Sequence, residues 1–298
     1  VILSKALQSV TQTLRRAKIP DASVEAEVLL GHVLGMSKTE LYTEPERSLT
    51  SAETKRLRRI VRRRLDHEPA AYILGHREFC GIDFYVEPHT LIPRPETELL
   101  VEEAVQLARR ISSQGEQITI ADIGTGCGAI AVSLALALPQ AKIYATDISP
   151  SALKTAEVNC RRHGVNDQVE LLEGNLLEPL PRAVDVIVAN LPYVRDCEFR
   201  DLSQEIREYE PTLALAGGRD GLDKIREMLE QIRRKWSSHP SEGPAYLLLE
   251  IGQGQGDMVA SMVRDSFPQA SIELIPDLGG IERVAKVGLS AGKSALTE

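Results

Sequence analysis

The chain has 298 residues, 43% hydrophobic and 26% charged, enough for one large domain or two smaller ones with buried cores. Its formal net charge of −8 argues against a protein whose whole surface binds nucleic acid, though a local basic patch is compatible with it. Cysteines 80, 127, 160 and 197 form no CxxC pair and the six histidines have no metal-ligand spacing, so free thiols in a cytoplasmic setting and no metal site are expected.

The first twenty residues lack the basic–apolar–small order of a signal peptide, and the longest apolar stretch, "AIAVSLALALP", is too short to span a bilayer. Residues 1–72 read as a helical domain. Leu3, Leu7, Val10 and Leu14 mark one helical face. In "PDASVEAEVLLGHVLG", Asp21 or Ser23 can cap a second helix and Gly35 can close it. A third helix is expected in "TSAETKRLRRIVRRRLDHEP", with Thr50 and Glu53 forming a capping box. Residues 73–95 change to alternating apolar residues with glycines and prolines, the pattern of a β-hairpin linker. From residue 96 to 298, helical and extended segments alternate. Strands are expected at 118–123, 142–147, 168–172, 184–190, 245–251, 270–275 and 283–289, with helices at 96–111, 128–138, 151–163, 220–236 and 255–266. Such alternation implies a parallel sheet with helices on both faces, an α/β fold.

"TIADIGTGCGAIAVSLALALP" is strand, glycine-rich turn and helix. Gly124, Gly126 and Gly128 permit a sharp turn and close approach to a ligand, with Thr125 and Cys127 between them. The helix that follows offers free N–H groups to an anionic group. Asp147, ending the next strand, is placed to accept hydrogen bonds from a ribose diol. This pairing alone suits NAD or S-adenosylmethionine. Two details favour the second: Asp122 can meet the cationic amino-acid end of that cofactor, and G-T-G-C-G is not the G-x-G-x-x-G spacing.

At the end of a later strand, "ANLPYV" holds Asn190, Leu191, Pro192 and Tyr193. An amide or aniline-like nitrogen is a poor nucleophile because its lone pair is delocalised. Acceptors on both of its N–H bonds favour the rehybridised transition state of methyl transfer. The Asn190 side-chain oxygen and the carbonyl of residue 191 can be those acceptors, and Tyr193 offers a face for the planar group. The group held is either the exocyclic amine of a base or the amide of glutamine. Asn190 can equally be an Asx-turn residue that ends a strand.

"FCGIDFYVEPHTLIPRPETELLVEEAV", "ADIGTGCGAIAVSLA", "ANLPYV" and "EPTLALAGGRDGLDKIREML" together resemble the HemK/PrmC family of protein-(glutamine N5) methyltransferases. The resemblance runs nearly end to end, and "LIPRPETE" (91–98) is its most specific piece. It implies a seven-stranded, Rossmann-like S-adenosylmethionine-dependent methyltransferase domain behind a helical-bundle domain for substrate recognition and a hairpin linker. It implies S-adenosyl-L-methionine as cofactor, with S-adenosyl-L-homocysteine as product. The implied substrate is the glutamine of the GGQ motif in class 1 peptide chain release factors. By position, the cofactor residues are Asp122, Gly124, Thr125, Gly126, Cys127, Gly128, Asp147, Asn175, Leu176 and Asn190. The turn Asn190, Leu191, Pro192 and Tyr193 holds the glutamine, with Asn190, Pro192 and Tyr193 catalytic. A monomer with no stable nucleic-acid binding is expected.

The chain departs from the family pattern twice. Leu191 stands where the family usually has proline, giving a tetrad seen in ribosomal RNA adenine dimethyltransferases. Asn175 stands where it usually has aspartate, which removes a charge beside the adenine. Pro192 still biases Leu191 to extended geometry, and leucine has the same carbonyl, so Leu191 is expected to be tolerated. The basic helix carrying Lys55, Arg56, Arg58, Arg59, Arg62, Arg63 and Arg64 is either a solvated face or a docking surface for an acidic release factor. Arg94 is a possible cofactor contact. His76 and His89 read as linker or surface residues, and "IGQGQGD" as a βα turn. Two other classes stay open: a nucleic-acid adenine-N6 methyltransferase, favoured by "NLPY", and a non-catalytic binding module.

Overall fold

The computed structural model describes residues 1–112, 117–236 and 243–289, which divide into two compact units. The first holds Val1–His76 together with Ser203–Tyr209. Its α1 (Leu3–Arg16) buries Leu3, Val10 and Leu14 of the expected face together with Ala6, while Leu7 is only partly buried. Helix α2 (Ala22–Leu34) ends at Gly35, whose φ of 65° suits a residue without a Cβ. Asp21 precedes α2 with φ 47° and makes no side-chain cap. Helix α4 (Ser51–Leu65) starts at the Thr50/Glu53 capping box.

Three short helices were not foreseen. For α3 (Lys38–Thr43) the signal was present: Ser37 and Glu40 form a second capping box. Helix α5 (Ala70–Leu74) takes up residues expected to open the hairpin. The third, α9 (Gln204–Tyr209), lies far along the chain yet belongs to this unit. Arg64 holds it there. Its side chain is 2% exposed, with Nε 2.5 Å and Nη2 3.0 Å from the two Glu25 oxygens and Nη2 3.0 Å from Glu205 Oε2. A buried guanidinium needs such carboxylates to offset its lost hydration. The Tyr209 hydroxyl adds a bond to the Asp66 carbonyl at 2.7 Å.

The hairpin strands β1 (His76–Phe79) and β2 (Ile82–Tyr85) form a two-stranded sheet of their own. After it, the second unit alternates: α6 (Glu98–Ile111), β3 (Thr119–Ile123), α7 (Ala129–Ala137), β4 (Lys142–Asp147), α8 (Pro150–Arg162), β5 (Val169–Glu173) and β6 (Val186–Ala189). Then come α10 (Asp223–Trp236), β7 (Tyr246–Glu250), α11 (Gly256–Ser266), β8 (Ser271–Pro276) and β9 (Glu282–Gly288). The seven-stranded sheet runs β5-β4-β3-β6-β7-β9-β8. Strands β3 to β7 are mutually parallel; the near-continuous apolar sequences of β6 and β7 fit burial on both faces, whereas the edge strand β5 is only partly buried. The sheet is not parallel throughout: β9 runs antiparallel to both β7 and β8. The loop Asp277–Ile281 joins β8 to β9 as a hairpin, with the Asp277 side chain accepting from Gly279 and Ile281 N–H.

Chain order reverses at β3, with β4 and β5 on one side and β6 and β7 on the other. In open α/β sheets the crevice beyond the carboxyl ends at such a reversal is where ligands bind. Gly124, Asp147, Asn175 and Asn190 all fall at carboxyl ends, after β3, at β4, after β5 and after β6.

Candidate functional site

A cavity opens at these strand ends, lined by Gly124, Gly126, Asp147, Asn175, Leu176, Asn190, Leu191 and Pro192. His89, expected at the linker or surface, is exposed but also lines it, beside Thr90 and Leu91. Asp122, Thr125, Cys127, Gly128 and Tyr193 do not line it. They lie behind the wall and shape it.

The glycine loop shows how. Gly124, Gly126 and Gly128 have φ of 75°, 58° and 82°, the left-handed region that side chains disfavour. A Cβ at Gly128 would stand 3.1 Å from that of Ala156, so α7 and α8 also need a glycine there. Asp122 is fully buried. Its Oδ2 accepts from Thr125 Oγ1 at 2.6 Å and Ala131 N–H at 3.1 Å, whereas its Oδ1 has no partner. Burial pushes this carboxyl up to about 7, against the opposing pull of the Thr125 and Ala131 bonds. Cys127 is buried, and its carbonyl accepts from Asn159 Nδ2 at 2.8 Å.

Asp147 spans loop and strand. Its Oδ2 accepts from Gly126 N–H at 2.8 Å and its Oδ1 from Ser149 N–H at 2.9 Å. Burial raises its pKa, opposed by these backbone donors. Each carboxylate oxygen has a second lone pair, so the group retains acceptor capacity toward the cavity. Next to it, Leu176 has φ 53°, a strained value for a branched side chain. The strain is over-determined: Thr146 Oγ1 donates to the Leu176 carbonyl at 2.9 Å, and Leu177 N–H donates to Gln231 Oε1 at 2.9 Å. The Asn175 side chain donates from Nδ2 to Glu227 Oε1 at 2.5 Å.

On the other side of β3, Asn190 follows the fully buried β6. Its Nδ2 donates to Thr97 Oγ1 at 3.1 Å, and the Thr97 side chain neighbours Glu250, at the end of β7. Among the described residues no protein donor reaches Asn190 Oδ1. Tyr193 meets the same carboxyl from its hydroxyl, at 3.3 Å from Glu250 Oε1. Glu250 is 2% exposed, its Oε2 has no partner, and burial raises its pKa. Burial, then the nearby Glu250, pushes the Tyr193 phenol up as well. The two ends of the "NLPY" turn are thus held separately, Asn190 by Thr97 of "LIPRPETE" and Tyr193 by the buried Glu250 carboxyl.

Two further supports were invisible in the sequence. Gln255, from "IGQGQGD", accepts from Gly252 N–H with Oε1 at 2.7 Å and donates from Nε2 to the Tyr193 carbonyl at 3.0 Å. It therefore fastens the turn as well as starting α11. Glu210, from "EPTLALAGG", is 5% exposed, accepts from Ile92 N–H at 3.2 Å and pairs with Arg94. Arg94 is spent on this pair and does not line the cavity. Leu191 is 3% exposed, and its Cδ2 would stand 3.4 Å from a Cβ at Gly124. Here the leucine is a packing residue seated against the glycine loop.

These donors and acceptors fit an adenosyl sulfonium cofactor. The glycines leave room where any Cβ would project, Asp147 can accept from a diol, and the unpartnered Asp122 oxygen is the kind of group an ammonium stabilises.

Comparison with known proteins agrees at both levels. The PrmC N-terminal domain model matches residues 5–75, and the methyltransferase small domain model matches residues 97–211. The release factor glutamine methyltransferase of Koribacter versatilis is 39% identical over 284 residues, covering 95% of this chain and 96% of that one. The protein of that name from Geobacter sulfurreducens is 40% identical over 268 residues, 89% of each. Among solved structures, the hMettl16 catalytic domain in complex with a MAT2A 3'UTR hairpin superposes with a TM-score of 0.57. It is 14% identical and is matched over 75% of this chain and 82% of its own, a likeness of fold alone. With relatives this similar over nearly their whole length, the chain belongs to the release factor glutamine methyltransferase family.

Proposed function

We propose that the chain methylates the side-chain amide nitrogen, N5, of the glutamine in the GGQ motif of class 1 peptide chain release factors, using S-adenosyl-L-methionine. The observation that carries this reading is Asn190: its NH2 is tied to Thr97, which leaves Oδ1 as the acceptor at the cavity. Asp147 is assigned to the ribose, Gly124 and Gly126 to close contact with the cofactor, and Asn175 and Leu176 to its base, while the Asp122 carboxyl, buried behind the glycine loop, attracts the ammonium from behind the wall without touching it. The cofactor supplies an activated methyl group, and release of its neutral thioether drives the displacement.

The rest falls to the chain. Asn190 Oδ1 and the Leu191 carbonyl accept the two N–H bonds of the glutamine amide and orient its lone pair along the line of attack. As the N–C bond forms, nitrogen loses conjugation and gains positive charge, and the two fixed oxygens stabilise that charge more than the planar ground state. The methylated nitrogen then gives up one of these protons to solvent water, which restores the neutral amide. Pro192 holds Leu191 extended, so that its carbonyl stays in place. Tyr193 contributes through its bonds to Glu250 and Gln255, which fix the turn.

The helical unit is assigned to recognition of the release factor. Arg63 is bonded to Glu68 and Arg64 is buried, but Lys55, Arg58, Arg59 and Arg62 are exposed, with no carboxylate partner among the described residues. Together they form a basic face for an acidic partner. A cytoplasmic, monomeric protein belongs to the same proposal. Among the described residues no helix is long and apolar enough to cross a membrane.

The test is methyl transfer from labelled cofactor to a release factor, in parallel with an adenine-containing RNA. Label on the GGQ glutamine, lost in Asn190→Ala, supports the assignment; label on RNA adenine instead would replace it. Paired Arg59→Glu and Arg62→Glu changes should raise KM for the release factor more at low salt than at high salt.

A further inference from the structure

The four strand ends that line the cavity follow one another across the sheet as β5, β4, β3 and β6. Resting on the cofactor assignment above, a ligand with its reactive end at Asn190 and its ribose at Asp147 continues toward β5. The base therefore comes to Asn175 and Leu176, three strand spacings, or about 14 Å, from β6.

Asn175 has one side-chain donor group and one acceptor. Its Nδ2 donates to Glu227 Oε1 at 2.5 Å, and Glu227 Oε2 is paired with Lys224 Nζ at 2.8 Å. A flipped amide would set two oxygens against each other at that distance, so the carboxylate allows one orientation only. Asn175 and Lys224 line the cavity, whereas Glu227 does not and is partly exposed to solvent. The uncommitted polar atom of Asn175 is then Oδ1, an acceptor on the cavity wall.

We propose that Glu227 is a positioning residue: it locks the Asn175 amide so that Oδ1 accepts from the 6-amino group of the cofactor's purine and rejects a 6-oxo purine. The Glu227 carboxyl is held below its ordinary range, first by Lys224 and then by Asn175, so it stays an acceptor throughout the neutral range. The pair also accounts for the amide at position 175. An aspartate there would face the Glu227 carboxylate, and the charge found at 175 in the usual family pattern is carried one position further back.

Isothermal titration with S-adenosylhomocysteine and its deaminated analogue, S-inosylhomocysteine, tests this without turnover. Wild type is expected to prefer the 6-amino ligand by about 10- to 100-fold, since the 6-oxo ligand sets oxygen against oxygen. Glu227→Gln can donate as well as accept, frees the amide to turn, and should bring that ratio below about threefold while the 6-amino ligand still binds. Asn175→Asp should lose at least about tenfold in affinity for S-adenosylhomocysteine at pH 8, and Asn175→Asp with Glu227→Gln should regain it. The proposal is overturned if wild type does not discriminate, if Glu227→Gln keeps the wild-type ratio, or if Asn175→Asp binds normally beside an intact Glu227. If wild type fails to bind S-adenosylhomocysteine at all, the cofactor assignment itself falls.

Discussion

Thr97→Val replaces a hydroxyl by a methyl group of nearly the same size at a site 4% exposed, so packing is kept and one hydrogen bond is lost. Asn190 Nδ2 loses its acceptor, while Glu250 keeps its bond from Tyr193. Leaving a buried group unpaired costs about 1–3 kcal/mol, so a stability loss of about 2 kcal/mol is expected. The catalytic effect is separate. Without Thr97 nothing fixes which end of the Asn190 amide faces the substrate. Losing one preorganised acceptor costs about 100-fold in rate, or roughly 2.7 kcal/mol of transition-state stabilisation. Single-turnover methylation of a release factor should therefore fall about 100-fold, with affinity for S-adenosylhomocysteine within about twofold of wild type. Thr97→Ser, which keeps the hydroxyl, should recover most of the rate. A folded Thr97→Val enzyme that turns over within threefold of wild type would refute the claim that Thr97 orients Asn190.

Asp122 gives a pH prediction. Its folded pKa of about 7 lies above the ordinary 3.8, so between these values the folded state holds a proton that the unfolded state has lost. Stability from this group is greatest below about pH 4 and declines as pH rises toward 7. Without ligand, Asp122→Asn should resist urea better than wild type at pH 8 and no better at pH 4, while binding S-adenosylhomocysteine more weakly. Leu191→Pro restores the commoner family residue but gives up a side chain packed against the glycine loop. Methylation should persist while thermal unfolding shows a loss of no more than about 2 kcal/mol. Arg64→Met leaves Glu25 and Glu205 without their shared partner. Both reach solvent, so chemical denaturation should show a loss of about 2–3 kcal/mol, less than the 3–5 typical of a fully buried pair.

What was legible in the sequence was whatever is written locally. The periodicity of α1, the Thr50/Glu53 box, the glycine turn and the apolar run of β6 each depend on residues a few positions apart. The cavity-lining set from Gly124 to Pro192 was legible for the same reason, because strand ends and turns can be placed from local pattern. Partners distant in sequence were not. Thr97 with Asn190, Gln255 with Tyr193, and Asn175 with Glu227 are separated by 93, 62 and 52 positions, and only the sheet order brings them together. Asp122 was expected at the cofactor and Tyr193 at the substrate, yet neither lines the cavity, because which side of the wall a residue occupies is a matter of packing. The antiparallel β9 escaped because strand direction leaves no trace in alternating apolar residues.

Residues 203–209 leave the methyltransferase unit after Leu202, complete the helical unit, and return at Glu210. The helical unit is therefore not a detachable segment: a chain cut after His76 would lack Glu205, and Arg64 would be left with one carboxylate instead of two. Because the same excursion leaves soon after Tyr193 and rejoins at the residue that binds Ile92 and Arg94, one clip anywhere within it would cost both units a fixed end. Protease sensitivity of this short stretch is thus a direct gauge of whether the helical and catalytic parts are both intact.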